Sequence, residues 1–200
     1  MTNTSATGGY LAPAATPTPL EGQQLLDFIQ LFIVGVTGMD GTLVRPFWQT
    51  EPPNIPTAGV AWCAFRVDAR PSDEYPYVEH VSNESFVGDK LQRHEDLILH
   101  AIFYDLGSGG QADALVGLLR DGSAIAQNRE ALAGGGLYLV RAGAPTPVPV
   151  LLKLRWSYRV DLEIVLRRQI DRVYPVLDLV GADGTLNTDG GLAPQNWRTP

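Results

Sequence analysis

The amino-acid sequence predicts an α+β fold: an antiparallel sheet with helices packed on one face, one unusually long strand, and ordered N- and C-terminal arms. Three observations predict it. From Arg155 to Tyr174 the chain reads RWSYRVDLEIVLRRQIDRVY. Trp156, Tyr158, Val160, Leu162, Ile164 and Leu166 fall on one parity, and Arg155, Ser157, Arg159, Asp161, Glu163 and Val165 on the other, which is the two-residue period of a strand. Leu25, Leu26, Ile29, Phe32, Ile33 and Val36 instead recur at helical spacing. Finally, the elements run helix, strand, strand, two helices, short strand, long strand, without the alternation that marks a parallel sheet.

Taken in order, residues 1–19 are rich in Thr, Ala, Gly and Pro, and residues 181–200 in Gly, Asp, Asn and Pro. Neither arm has the apolar mass for a core, so each is expected to order only by docking on something else. Residues 20–180 remain as a single domain. Its first helix is predicted at TPLE, with Thr18 as cap, Pro19 at the first helical position and Glu21 closing a capping box. GVTGMDG ends it, and its apolar stripe is expected to lie on a sheet. The proline-dense LVRPFWQTEPPNIP reads as irregular chain whose large side chains, Arg45, Trp48 and Gln49, are there for contact. Gly59 to Asp68 and His94 to Tyr104 are strands able to pair antiparallel, separated by a long polar excursion. ADALVGLLRDG places Leu115, Leu118 and Leu119 on one helical face, and SAIAQNREAL places Ile125, Arg129 and Leu132 on another. LYLVRAG is a short strand, APTPVPV a proline-rich connection, and VYPVLDLVG a last edge strand. If all of Arg155 to Tyr174 were extended it would span roughly 65 Å at about 3.3 Å per residue, well beyond an ordinary strand.

Composition narrows the function. At 200 residues with 44% hydrophobic content, the chain can bury a real core. A net charge of -7 disfavours a sequence-independent grip on nucleic-acid phosphates. Cys63 is the only cysteine, which rules out a disulfide or a cysteine-rich metal site within one chain. No run approaches the ~18 apolar residues of a membrane span, and the N-terminus lacks the basic start and apolar core of a signal peptide, so no membrane association and synthesis in the cytoplasm are expected.

Little in the sequence points to catalysis or metal binding. His94 and His100 share one face of a strand, but six residues separate them by about 20 Å, too far to hold one metal ion. The GSGG and GGG clusters lack the Lys and Ser or Thr of a phosphate loop and read as turns. No G-x-S-x-G occurs. Neither a catalytic residue, a cofactor nor a metal is predicted. In the long strand, arginines are interleaved with Asp161, Glu163 and Asp171, the pattern of a salt-bridged protein interface rather than of a nucleic-acid platform.

Several segments together resemble a known family. VRPFWQTEPPNIP, AWCAF, QRHEDLILHAIFY, AIAQNREAL and LRWSYRVDLEIVLRRQIDRVYPVL are similar, from about Thr18 to Leu179, to the neck or tail terminator proteins of tailed bacteriophages. The most specific pieces are R-P-x-W-Q (Arg45, Pro46, Trp48, Gln49), R-H-E (Arg93, His94, Glu95), Q-N-R-E (Gln127 to Glu130), and the strand carrying Arg159, Asp161, Arg167 and Arg168. One departure is Ala101-Ile102 ahead of Phe103-Tyr104, where the family pattern has a Ser.

The resemblance implies a non-enzymatic virion protein. It would form a ring, a homohexamer, on the head-proximal end of the tail, where it stops tube growth and docks to the neck. Its implied partners are further copies of itself, the tail tube protein, neck or head-completion proteins, and a sheath, with DNA passing through the lumen without specific binding. The residues expected at interfaces are Arg45, Trp48, Gln49, Arg129, Arg155, Trp156, Arg159, Asp161, Arg167, Arg168 and Arg172. Two other readings stay open: a head-completion connector bound to the portal as a twelve-fold ring, and a small α+β enzyme with a dispersed site around His94, His100 and Glu95.

Overall fold

The computed structural model describes residues 3–14, 19–49, 56, 59–71, 73–83, 86–105, 107, 110–152, 155–179, 183–186 and 195–198. Its elements, in chain order, are α1 (Gly22–Thr37), a 3-10 turn (Gly41–Leu43), β1 (Val44–Pro46), β2 (Trp62–Pro71), β3 (Tyr77–Asn83), β4 (Phe86–Asp105), α2 (Gly110–Ser123), α3 (Ala126–Gly134), β5 (Tyr138–Ala142), β6 (Thr146–Pro147), β7 (Val150–Leu152), β8 (Arg155–Tyr174), β9 (Asp183–Leu186) and β10 (Gln195–Arg198). An eight-stranded mixed sheet runs β1-β2-β4-β8-β5, with β3 paired to β4 and β6 and β7 paired to β8. β1 is parallel to β2, whereas β2 with β4, β3 with β4, and β5 with β8 are antiparallel. The α+β class read from the sequence stands.

The chain forms two compact units, one of Met1–Thr16, Tyr77–Gln92 and Asp171–Pro200, the other of Pro17–Pro76 and Arg93–Ile170. The larger one holds the core. Strand parity decides what enters it: Cys63 and Phe65 of β2, Leu97, Leu99, Ala101 and Phe103 of β4, and Val160, Leu162, Ile164 and Leu166 of β8 all pack with α1, α2 and α3. α1 contributes Leu25, Ile29, Phe32 and Ile33, the stripe its spacing predicts. It ends where Gly38 takes φ 70 and donates to the Val34 carbonyl, the left-handed cap that glycine adopts without strain. A Cβ on Gly122 would fall 2.4 Å from Val36 Cγ1, so α1 and α2 approach closely because that residue is glycine.

Several expectations change. α1 starts at Gly22, not at the TPLE capping box: Glu21 is the N-cap, makes no capping hydrogen bond, and precedes a glycine at φ 53, a left-handed geometry that ends regular helix there. Thr18 lies outside the described residues. The segment read as wholly irregular holds β1, short enough that Pro46 costs no interior ladder bond. In α2 the buried face is Ala112, Val116, Leu119 and Ser123, so Leu118 faces outward; in α3 Leu132 is buried and Ile125 exposed.

The polar excursion before His94 is in fact a hairpin, because β3 pairs with the first half of β4 from Tyr77↔Gln92 to Asn83↔Phe86. The proline-rich connection carries β6 and β7. Pro175 to Leu179 form no strand, since Pro175 offers no N–H to a ladder, and within residues 181–200 β9 and β10 pair instead. The N-terminal arm is held by Ser5 N–H on the Pro175 carbonyl at 3.3 Å and Ala14 N–H on the Val173 carbonyl at 2.7 Å.

Cys63 is fully buried, and that burial pushes its thiol pKa up. The thiol is therefore expected to resist iodoacetamide in the folded protein at neutral pH and to react once urea unfolds the chain; rapid alkylation under native conditions would contradict its place in the core.

Candidate protein interface

Helices cover one face of the large unit's sheet, and the other face carries the even positions of β2 and β4 and the odd positions of β8. There Trp62 and Tyr104, opposite one another in the β2/β4 ladder, stack with ring centroids 4.3 Å apart and planes 9° from parallel. The Arg159 guanidinium stands 5.8 Å from the Tyr104 ring centre. With Ala64 and Ile102 the two rings make a small apolar cluster separate from the helix-side core. Burial raises the Tyr104 hydroxyl pKa, and the nearby Arg159 charge offsets part of that rise.

Around the aromatic pair the charges are matched. Arg159 grips Asp161 with two bonds, Nε to Oδ1 at 2.6 Å and an Nη to Oδ2 at 2.5 Å, which raise its pKa further and hold it charged. Arg141 reaches Glu163 at 2.6 Å, and Arg167 bonds Asp96 at 2.8 and 3.2 Å. His100 Nε2 lies 3.3 Å from Asp68 Oδ2, near enough for a charge contact but without hydrogen-bond alignment. His94 Nδ1 meets Asp73 at 2.9 Å. A hollow of about 390 Å³ opens among Phe47, Arg66, His100, Ile102, Arg159 and Glu163. Trp62 Nε1 is buried and finds no acceptor among the described residues, an unmade hydrogen bond that costs the subunit stability. Among the described residues no group of three or more His, Cys, Asp or Glu is placed to hold a metal ion, and no helix is long and apolar enough to cross a membrane.

The interface residues expected from the sequence divide between places. Arg159, Asp161 and Arg167 lie on this helix-free face. Arg45, Trp48 and Gln49 line a second, polar hollow beside α1, where Gln30 donates to the Gly41 and Val44 carbonyls at 3.0 and 2.8 Å and Arg45 Nε to the Thr42 carbonyl at 2.6 Å. Trp48 is 86% exposed, and Trp156, near the start of β8, 74%. Arg129 is exposed on α3. Arg172 belongs to the smaller unit, and the side chain of Arg155 lies outside the described residues.

Arg168 is different. It is buried on the helix side, where Nε and an Nη bond Glu95 Oε2 at 2.9 and 2.7 Å and another Nη donates to the Leu20 carbonyl at 2.7 Å. This corrects its expected place at an interface: Arg167 and Arg168 are neighbours on a strand, so they must point to opposite faces. Trp62, Tyr104, Phe47 and Arg66 are the residues that the sequence reading missed. The alternation Trp62, Ala64, Arg66, Asp68 along β2 is the signal that marks the same face.

A family model described as phage neck terminator protein matches residues 23–190 of the 200-residue chain. No curated protein matches it.

Proposed function

Given that the chain belongs to the phage neck terminator protein family, a structural component of the virion neck, we propose that it closes into a homohexameric ring on the head-proximal end of the tail tube and joins that tube to the head-neck connector. The observation that carries this reading is the family match over most of the chain. The helix-free face adds physical support. Its aromatic pair and its matched ion pairs fit a neighbouring subunit, because desolvated aromatic and arginine side chains dominate protein interfaces. Tail tube and neck proteins are the partners above and below, with a sheath protein further out. The net charge of -7 suits a passage through which DNA slides without adhering. The ring's work is mechanical, without a catalytic step.

The test is the mass of the full chain by light scattering across a concentration series, alone and with purified tail tubes. A sixfold mass, alone or only when tubes are added, supports the ring; a twelvefold mass points to a connector at the portal; a monomer indifferent to tubes overturns the proposal. Charge reversal at Arg159 or Arg167 is expected to change subunit stability little, because exposed ion pairs contribute little to folding, while raising the concentration needed for assembly at least tenfold, because such pairs fix register between partners. Normal assembly by both variants would remove these arginines from the interface.

A further inference from the structure

Within the smaller unit three stretches of chain meet at one imidazole. His80, on β3, faces Asp89 across the β3/β4 hairpin, with Nδ1 2.7 Å from Asp89 Oδ1. On the other side of the ring Nε2 is 2.5 Å from Oδ1 of Asp178, in the segment that follows β8. Ser82 Oγ, two residues along the same strand face, donates to the second oxygen of Asp178. The segment that Asp178 belongs to also carries the N-terminal arm: Leu177 N–H donates to Ser5 Oγ at 2.7 Å, and Ser5 N–H donates to the Pro175 carbonyl.

An ionised carboxylate only accepts hydrogen bonds, and a neutral imidazole has only one N–H to give. With a carboxylate on each ring nitrogen, both bonds form only when both nitrogens carry protons. From this arrangement we infer that His80 is a protonation-dependent clasp: as the imidazolium it ties the β3/β4 hairpin to the segment at Asp178, and through that segment it secures the N-terminal arm. Loss of one proton leaves a ring nitrogen lone pair facing a carboxylate oxygen, so one of the two ties becomes repulsive and opens.

The surroundings set the direction. On the hairpin face that His80 occupies, the register places Val78, Ser82, Val87, Asp89 and Leu91, while Glu79 and Lys90 pair on the opposite face. From the third stretch comes Asp178. The groups facing the ring are thus two acids and a hydroxyl, and its pKa is raised, first by the bond to Asp178 and then by that to Asp89. Asp178 is lowered, first by Ser82 and then by His80. A raised histidine contributes fully below its unfolded value of about 6.5, and that contribution disappears as pH climbs through the folded value; a lowered aspartate contributes above about 3.9 and is lost as pH falls through its own folded value. The clasp is closed from about pH 4 to pH 6.5 and opens at higher pH, past the folded pKa of His80.

The experiment uses the full chain, with the His80 ring protons followed by NMR over pH 5 to 9 and the amide exchange of residues 3–14 and 175–179 measured alongside. The expected result is a His80 titration above the ordinary histidine range, with protection of the Ser5 and Leu177 amides, relative to their intrinsic exchange rates, falling through that same pH. In D178N the His80 titration moves down and the step in exchange moves with it. His80 titrating in the ordinary range, or exchange that shows no step at its titration, overturns the clasp. Because the wild-type profile alone can do so, the test does not depend on how the variant folds.

Discussion

Arg168→Ala is expected to lower the unfolding free energy by about 3–5 kcal/mol, the loss that follows when one partner of a buried ion pair is removed. The side chains of Arg168 and Glu95 are only 7% and 10% exposed. Truncating the arginine leaves a carboxylate on the helix side of the sheet with Arg93, at 2.6 Å, as its remaining cation. It also strips a donor from the Leu20 carbonyl and from the approach to Glu21, 3.8 Å away. Against a typical domain stability of about 5–15 kcal/mol, such a loss is a large fraction of the whole. The double replacement R168M with E95L is expected to recover much of it, since two apolar side chains carry no desolvation penalty. Urea titration of the two single variants and the double variant measures this directly. A single-variant loss below about 1 kcal/mol would mean that water reaches the pair and that it behaves as a surface contact.

The second large effect concerns assembly rather than folding. Trp48 and Trp156 are 86% and 74% exposed, so Trp48→Ala and Trp156→Ala are each expected to shift subunit stability by no more than about 0.5 kcal/mol. If these side chains anchor the ring, each loss costs about 2 kcal/mol or more per interface, which is roughly thirtyfold in the concentration needed for association. Paired measurements of unfolding midpoint and oligomer mass separate the two effects. A ring unchanged in both variants would show that neither tryptophan is an anchor, while a large fall in the unfolding midpoint would mean that they pack within the subunit.

What could be read from the sequence follows how strongly each segment is patterned. β8 was legible because the core lies on one side of it, so Val160, Leu162, Ile164 and Leu166 had to alternate with Arg159, Asp161 and Glu163. α1 was legible for the corresponding reason at helical period. The β3/β4 hairpin was not: His80, Ser82 and Asn83 are exposed, neither face of β3 is buried, and a strand held mainly by its ladder leaves no hydrophobic alternation to detect. The candidate interface was half legible. Arg159 and Asp161 stood out by their spacing, but the Trp62 and Tyr104 rings come together only through the β2/β4 register, 42 positions apart in the chain, and local pattern does not contain that register. Arg168 shows the opposite error, a charge expected at an interface whose buried partner Glu95 lies far upstream.

The strand order also dictates a sequence of events. β8 lies between β4 and β5 in the sheet yet follows both in the chain, and its Arg168 is 73 residues from Glu95. While the protein is being synthesised, β4 therefore waits with one edge unpaired, and Glu95 has Arg93 but not Arg168 beside it, until residues past Arg155 are available. Contacts so distant along the chain fold slowly, and an open strand edge in that interval invites pairing with other chains. The middle of the sheet is the last part to be completed, so a subunit can offer its helix-free face to a neighbour only once nearly the whole chain has been made.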